Sequence, residues 1–422
     1  MGGNIQVSGT QTYSSGTHIV FNGGSSQSIG SDYPSNTGIN LIIENANNVS
    51  LVGDVIIGGD LTLSSGNLIV GTNQLTLQGS ITPNANFIDV GPASDIVING
   101  TSAFGTFPFT GAETLNNFTF DRSSQTVDFE ADITINGELA LTNGSLDFSG
   151  QTLTLTGTKS GSGSLLANSS STLTITGSGA LGTVQFGVSG NTLGTLNLNR
   201  TGSGSVTSGS SLNIGTALNL TNGDFNNTGQ TLTMINGSTL TKGAGASLLG
   251  NSPETTGSFN ITYEGWTQST GNELPGGSTE INNLTINGGP ITLDRAIQVN
   301  GDVTFSSGSI DIGTLSLTVL GNWVRNSGSI TATTGQVIFS GTTSFSGSLD
   351  PRFINLQITN GATVTFHSTD INIEGDLLLG AGATINSNSG TIVLDGSANQ
   401  DFGGGGASIN DLTVDNASNT IT

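Results

Sequence analysis

The sequence predicts an all-β chain wound as a parallel, right-handed β-helix, or β-solenoid, of about 20 rungs; tandem β-sandwich domains are the alternative architecture. Three observations predict it. Two sequence anchors recur in phase roughly every 80 residues. Short segments alternate apolar and polar residues, and Asn-Gly dipeptides punctuate them.

The first anchor couples a Gly-acid pair to an alternating run: Gly59-Asp60-Leu61-Thr62-Leu63, then Gly137-Glu138-Leu139-Ala140-Leu141. A third copy, Ala217-Leu218-Asn219-Leu220, lacks the acid; Gly301-Asp302-Val303-Thr304-Phe305 and a looser Gly375-Asp376-Leu377-Leu378-Leu379 follow. From Leu63 to Leu141, Leu220, Phe305 and Leu379 the steps are 78, 79, 85 and 74 residues. The second anchor reads Asn40-Leu41-Ile42, Asn117-Phe118-Thr119, Thr195-Leu196-Asn197, Asn283-Leu284-Thr285, Asn355-Leu356-Gln357 and Asp411-Leu412-Thr413. Two markers on one period define degenerate super-repeats starting near 39, 116, 194, 282, 354 and 410. The expectation is one continuous solenoid over residues 1–422, with the least repetitive stretch, 251–280, as an inserted loop.

Inside each super-repeat, runs such as Gln151-Thr152-Leu153-Thr154-Leu155-Thr156 and Thr172-Leu173-Thr174-Ile175-Thr176 alternate with period two. That period sends the aliphatic residues to one face and Thr to the other, as in a half-buried strand. Asn143-Gly144, Asn222-Gly223, Asn300-Gly301 and similar pairs supply residues that tolerate the left-handed backbone of sharp corners. No segment carries a capped 3.6-residue period, so almost no helix is expected. The coil is preferred over sandwiches for three reasons. Only eight prolines are available to mark linkers. Charges are too sparse to guard many free edge strands. Like residues recur at matching rung positions, which suits in-register stacking.

Composition excludes several function classes. Seven Lys and Arg against 29 Asp and Glu give a net charge of −22, although charged residues are only 9% of the 422. Such a surface repels nucleic acid. Cysteine is absent, which removes disulfides and thiolate sites. No apolar run approaches the roughly 18 residues of a membrane helix. The opening Met1-Gly2-Gly3-Asn4 carries neither the basic stretch nor the apolar core of a secretory leader. Both ends fall in mid-repeat, so the expected partners are adjoining repeats of a longer chain or identical units stacked end to end.

The segment from Ile281 to Ser346 carries the clearest repeat, with Gly301-Asp302-Val303-Thr304-Phe305, Gly308-Ser309-Ile310-Asp311 and Gly321-Asn322-Trp323-Val324-Arg325-Asn326-Ser327-Gly328. It resembles the β-strand repeat regions of large secreted surface proteins of Bacteroidota-type bacteria. More loosely, it is similar to filamentous-haemagglutinin and autotransporter passenger β-helices. The resemblance implies a bacterial extracellular or cell-surface location and a role in adhesion or scaffolding. It brings no catalytic residues with it.

Sites are few. The densest acidic group is Glu113, Asp121, Asp128, Glu130, Asp132 and Glu138, with Arg122 as its only base. Glycoside hydrolysis needs two carboxylates at a defined separation, and a lyase needs a base beside a metal. The expectation here is instead a solvated face with one ion pair, and no catalytic residue. Asp60, Asp302 and Asp376 occupy one repeat position, where a corner role fits best and calcium is the one cofactor considered. In 251–280, Tyr263, Glu264 and Trp266 combine aromatic and carboxylate groups as carbohydrate sites do. His18 and His367 stand too far apart in sequence to share a metal.

Overall fold

The computed structural model describes residues 13–422 except 31, 36–37, 276–279, 367–369, 405–408, 410 and 417–419. The described residues contain strands and turns and no helix, and the chain is a parallel β-solenoid of about 18 turns. Every recorded strand ladder is parallel, as stacked coils require. The register is that of like on like. Leu41 opposes Leu61 and Ile43 opposes Leu63; Leu153 opposes Leu173, and Thr154 opposes Thr174. Partners lie one coil apart, from 18 residues at Ile281 and Val299 to 25 at Leu377 and Phe402.

Two compact units are distinguished, residues 1–215 with 223–230 and residues 216–222 with 231–422. In the first, early coils have three strands each. One coil runs Asn40–Glu44, Val49–Leu51 and Val55–Ile57; the next runs Leu61–Ser65, Leu68–Gly71 and Gln74–Leu77. In the second, the ladders through Ile281–Gly288, Val303–Ser307 and Trp323–Arg325 and through Ser316–Val319, Gln336–Phe339 and Asn355–Ile358 repeat the arrangement.

Alternation does the sorting. In Thr152–Leu155 and Gln336–Phe339 every second residue is buried and the others are half-exposed. The buried positions form columns along each unit, and the larger columns are aromatic. Phe107, Phe109, Phe118 and Phe129 pack edge to face in the first unit. Trp323 packs against Phe305, Phe339, Phe345 and Phe353 in the second, so it belongs to the core.

The anchors do not climb one face. Asn40-Leu41, Asn117-Phe118 and Thr195-Leu196 lie on three different ladders of the first unit. Asn283-Leu284, Asn355-Leu356 and Asp411-Leu412 lead into three different ladders of the second. A super-repeat of 78 or 79 residues is thus not a whole number of these coils. Each copy therefore starts on a new side.

Candidate functional site

At each intact anchor copy the two sequence markers meet across one coil. Asn40 Oδ1 accepts the Asp60 backbone N–H at 2.7 Å; Asn117 accepts Glu138 at 2.6 Å, Asn283 accepts Asp302 at 2.8 Å, and Asn355 accepts Asp376 at 2.9 Å. The acid then repeats the gesture one coil further on. Asp60 accepts the N–H of Ser80, Asp302 that of Asn322 and Asp376 that of Asp401, each at 2.8 Å. Asp54, Asp132 and Asp370 cap Gln74, Thr152 and Thr391 in the same way. These side chains satisfy corner N–H groups that have left the strand ladder, where an unpaired donor would cost free energy.

This arrangement gives Asp60, Asp302 and Asp376 a role that needs no cation. Each caps the corner of the following coil, and the described residues contain no group of three or more His, Asp or Glu placed to hold a metal. His18 is described and His367 lies outside the described residues.

The acidic group from Glu113 to Glu138 is spread over successive coils. Asp128 stands in register with Asp147, and burial together with Asp147 and Glu130 raises its carboxyl pKa. Glu113 is raised by burial and by Asp89. The expected ion pair of Arg122 is not formed. Arg122 is buried inside the coil, where it donates to the carbonyls of Leu77, Gly79 and Ser102 and faces the Phe104 ring. Arg200 does the same, donating to Thr156, Gly157, Thr176, Ser178 and Gly179 across two coils.

Four of the seven basic residues, Arg122, Lys159, Arg200 and Lys242, are thus internal. Sequence reasoning missed this, although a signal was present: Arg122 and Arg200 both follow the Asn-Leu-type anchor by five residues and lie 78 apart. Of the outer bases, Arg295 pairs with Asp294, and Arg352 with Glu374 and Asp395. Arg325 donates to the carbonyls of Gly328 and Asp350. The solvent face is therefore even more anionic than composition implies.

The stretch 251–280 is largely solenoid instead of an inserted loop. Phe259–Gly265 pairs in register with Thr239–Leu249 on one side and Ile281–Gly288 on the other, and Gln268–Ser269 pairs with Ile291–Thr292; 276–279 lie outside the described residues. Strand alternation then separates the three expected ligand residues. Tyr263 points inward, 1% exposed, and donates its hydroxyl to Glu273 Oε1 at 2.9 Å, so it is no surface aromatic. Glu264 is exposed, and Trp266 at the following corner is 84% exposed. These two border a shallow groove of about 230 Å³ floored by Gly243, Ala244, Gly245 and Asn222. A second groove of about 490 Å³, in the first unit, is lined by Phe87, Thr106, Pro108, Phe109 and Glu130 among others.

Behind Tyr263 lies a buried polar cluster. Lys242 Nζ donates to Gln268 Oε1 at 2.7 Å and to the Ser269 carbonyl at 3.4 Å, and sits 5.9 Å from the centre of the Tyr263 ring. Glu273, 1% exposed, also accepts the Gly271 N–H at 2.9 Å. Burial lowers the Lys242 pKa, opposed by the negative charge of Glu273. Comparison with family models, with curated proteins and with solved structures found no match to the chain. The geometry by itself defines the class: a parallel β-solenoid whose polar side chains mostly serve its own backbone.

Proposed function

We propose that this chain is a structural segment of a bacterial surface adhesin or fibre, extracellular or cell-surface in location, without a catalytic site. The observation that carries this reading is how the polar side chains are used. The carboxylates, amides and cations that chemistry would need are spent capping the next coil's backbone, copy after copy. Its partners are adjoining coils of the same kind, in a longer chain or in a second copy. Electron microscopy over a concentration series is the test, paired with a screen for release of sugar ends from acidic and neutral polysaccharides. Particles of uniform width that join lengthwise, with no turnover, support the proposal. Turnover that disappears in Glu113→Gln or Asp128→Asn would overturn it.

A second reading has one observation in its favour. Trp266 stands almost fully exposed over a floor of small residues beside Glu264, a platform on which a sugar ring can stack. The only other tryptophan, Trp323, is buried, so solvent-accessible fluorescence comes from Trp266. Quenching or a blue shift on titration with oligosaccharides, lost in Trp266→Ala, supports carbohydrate binding. An unchanged spectrum across a panel of neutral and acidic oligosaccharides removes it.

A further inference from the structure

We infer that Lys242 and Gln268 are the two halves of a self-forming isopeptide cross-link, which covalently staples neighbouring coils of the second unit. The inference goes beyond the structural role proposed above and does not depend on it.

The starting point is a departure from the solenoid's own pattern. Three glutamines are buried among the described residues: Gln27, Gln268 and Gln400. At two of them Oε1 accepts from an asparagine amide, Asn45 at 3.0 Å and Asn416 at 2.8 Å. At the third the donor is an amine, Lys242 Nζ at 2.7 Å. An amide is no nucleophile; a deprotonated amine is one. The other internal lysine makes the contrast sharper. Lys159 Nζ donates to the carbonyls of Gly161 and Gly163 and has no carboxamide against it.

The surroundings match what amide exchange requires. Lys242 is 6% exposed and Gln268 9%, so water is largely kept from the reacting pair. Burial favours the neutral amine, the reactive form. The strands that carry the two side chains hold them at contact distance, which removes most of the entropic cost of a bimolecular step. Glu273 supplies a buried carboxylate whose charge acts on Lys242, and Tyr263 and Gly271 hold it by hydrogen bonds. Its part is that of a positioning residue: a buried negative charge that steadies the positive charge carried by the attacking nitrogen in the tetrahedral intermediate.

The step balances without any co-reactant. The Lys242 Nζ lone pair attacks Gln268 Cδ, and a C–N bond forms. The Cδ–Nε2 bond then breaks, and Nε2 departs as ammonia, taking up the proton that the attacking nitrogen gives up. The Gln268 Nε2 gives up its hydrogen bond to the Glu264 carbonyl, 2.8 Å, in leaving. In a chain with no cysteine, this is a covalent staple that needs no disulfide.

The test is intact-mass measurement of the full chain, with its β-sheet circular dichroism recorded in parallel. The expected result is a mass lower by one ammonia, together with a branched peptide joining Lys242 to Gln268 after digestion. Lys242→Arg keeps the charge but cannot be acylated, and restores the full mass. Glu273→Gln leaves a folded chain with the link incomplete, a result that lost packing alone would not produce. Two outcomes overturn the inference. One is the full mass in a folded wild-type chain after prolonged incubation. The other is an ammonia loss that persists in Lys242→Arg, which would mark succinimide formation at an Asn-Gly pair.

Discussion

Asn283 accepts the backbone N–H of Asp302 at 2.8 Å, and to do so its side-chain oxygen lies where a Cβ on Gly301 would have to be. The same relation joins Asn40 to Gly59 and Asp60, Asn117 to Gly137 and Glu138, and Asn355 to Gly375 and Asp376. Two sequence markers about a coil apart are thus one physical device. The third copy supports this from sequence alone, since Thr195, Thr216 and Ala217 replace Asn, Gly and acid together.

The device predicts coupling. Gly301→Ala pushes a methyl group into Asn283 Oδ1 and the Asn282 carbonyl, and a cost of about 2 kcal/mol is expected. Asn283→Thr, the pairing found in the third copy, should relieve part of it. A double-mutant cycle by denaturant unfolding is expected to give a coupling of about 1 kcal/mol; strict additivity would contradict the relation.

The acid of the pair distinguishes a cap from a cation ligand. Asp302→Asn keeps an acceptor for the Asn322 N–H, while Asp302→Ala leaves that donor without it. Thermal unfolding should barely change for Asn and should register a loss of about 1 kcal/mol for Ala. A chelator should leave the wild-type transition where it was. A chelator-sensitive transition would restore calcium to consideration.

The internal arginines should be among the most sensitive positions. Arg200 bridges carbonyls of two coils, so Arg200→Ala strands several buried acceptors at once and is expected to cost at least about 3 kcal/mol. Arg200→Lys should not rescue it, because one ammonium cannot span the carbonyls that a planar fork reaches. Trp266→Ala is the contrasting case, within about 0.5 kcal/mol of wild type, since the ring is almost wholly in solvent.

The stacked acids predict a pH dependence. Asp128 and Glu113 have carboxyl pKa values raised by burial and by neighbouring like charges, Asp147 and Glu130 for the one and Asp89 for the other. A raised folded-state pKa means that the folded chain holds the proton more tightly than the unfolded one. The associated stability is fully present below the ordinary carboxylate range and is lost as pH rises through the raised values. Unfolding midpoints should therefore fall as pH rises from mildly acidic toward neutral. Asp128→Asn should flatten that slope and gain a few tenths of a kcal/mol at neutral pH. A slope of the opposite sign would show that other groups dominate.

Much was legible in advance because it is local. Period-two alternation dictates strands, and anchor copies in phase dictate repetition. Leu over Leu and Thr over Thr require parallel, in-register stacking, since only that arrangement brings residues one coil apart face to face. The candidate site was legible only in part. Trp266 and Glu264 are exposed, as the expected site requires, but Tyr263 is not, because an irregular stretch hides a regular strand whose alternation turns that ring inward.

By itself, then, the sequence determined the fold class, the coil's repeating grammar and the acidic charge, all set by residue type and spacing along the chain. Only the tertiary structure decided which partner each repeated residue meets. It turned four of the seven bases inward, where a buried guanidinium or ammonium answers backbone carbonyls of the coil. It separated two uses of Asn-Gly: Gly144 takes a left-handed φ of 82°, whereas Gly137 and Gly301 are required by a side chain one coil below. And it stepped the anchors from ladder to ladder, because 78 or 79 residues do not close a whole number of coils. Each of these depends on contacts between residues about one coil or more apart, which spacing along the chain does not encode.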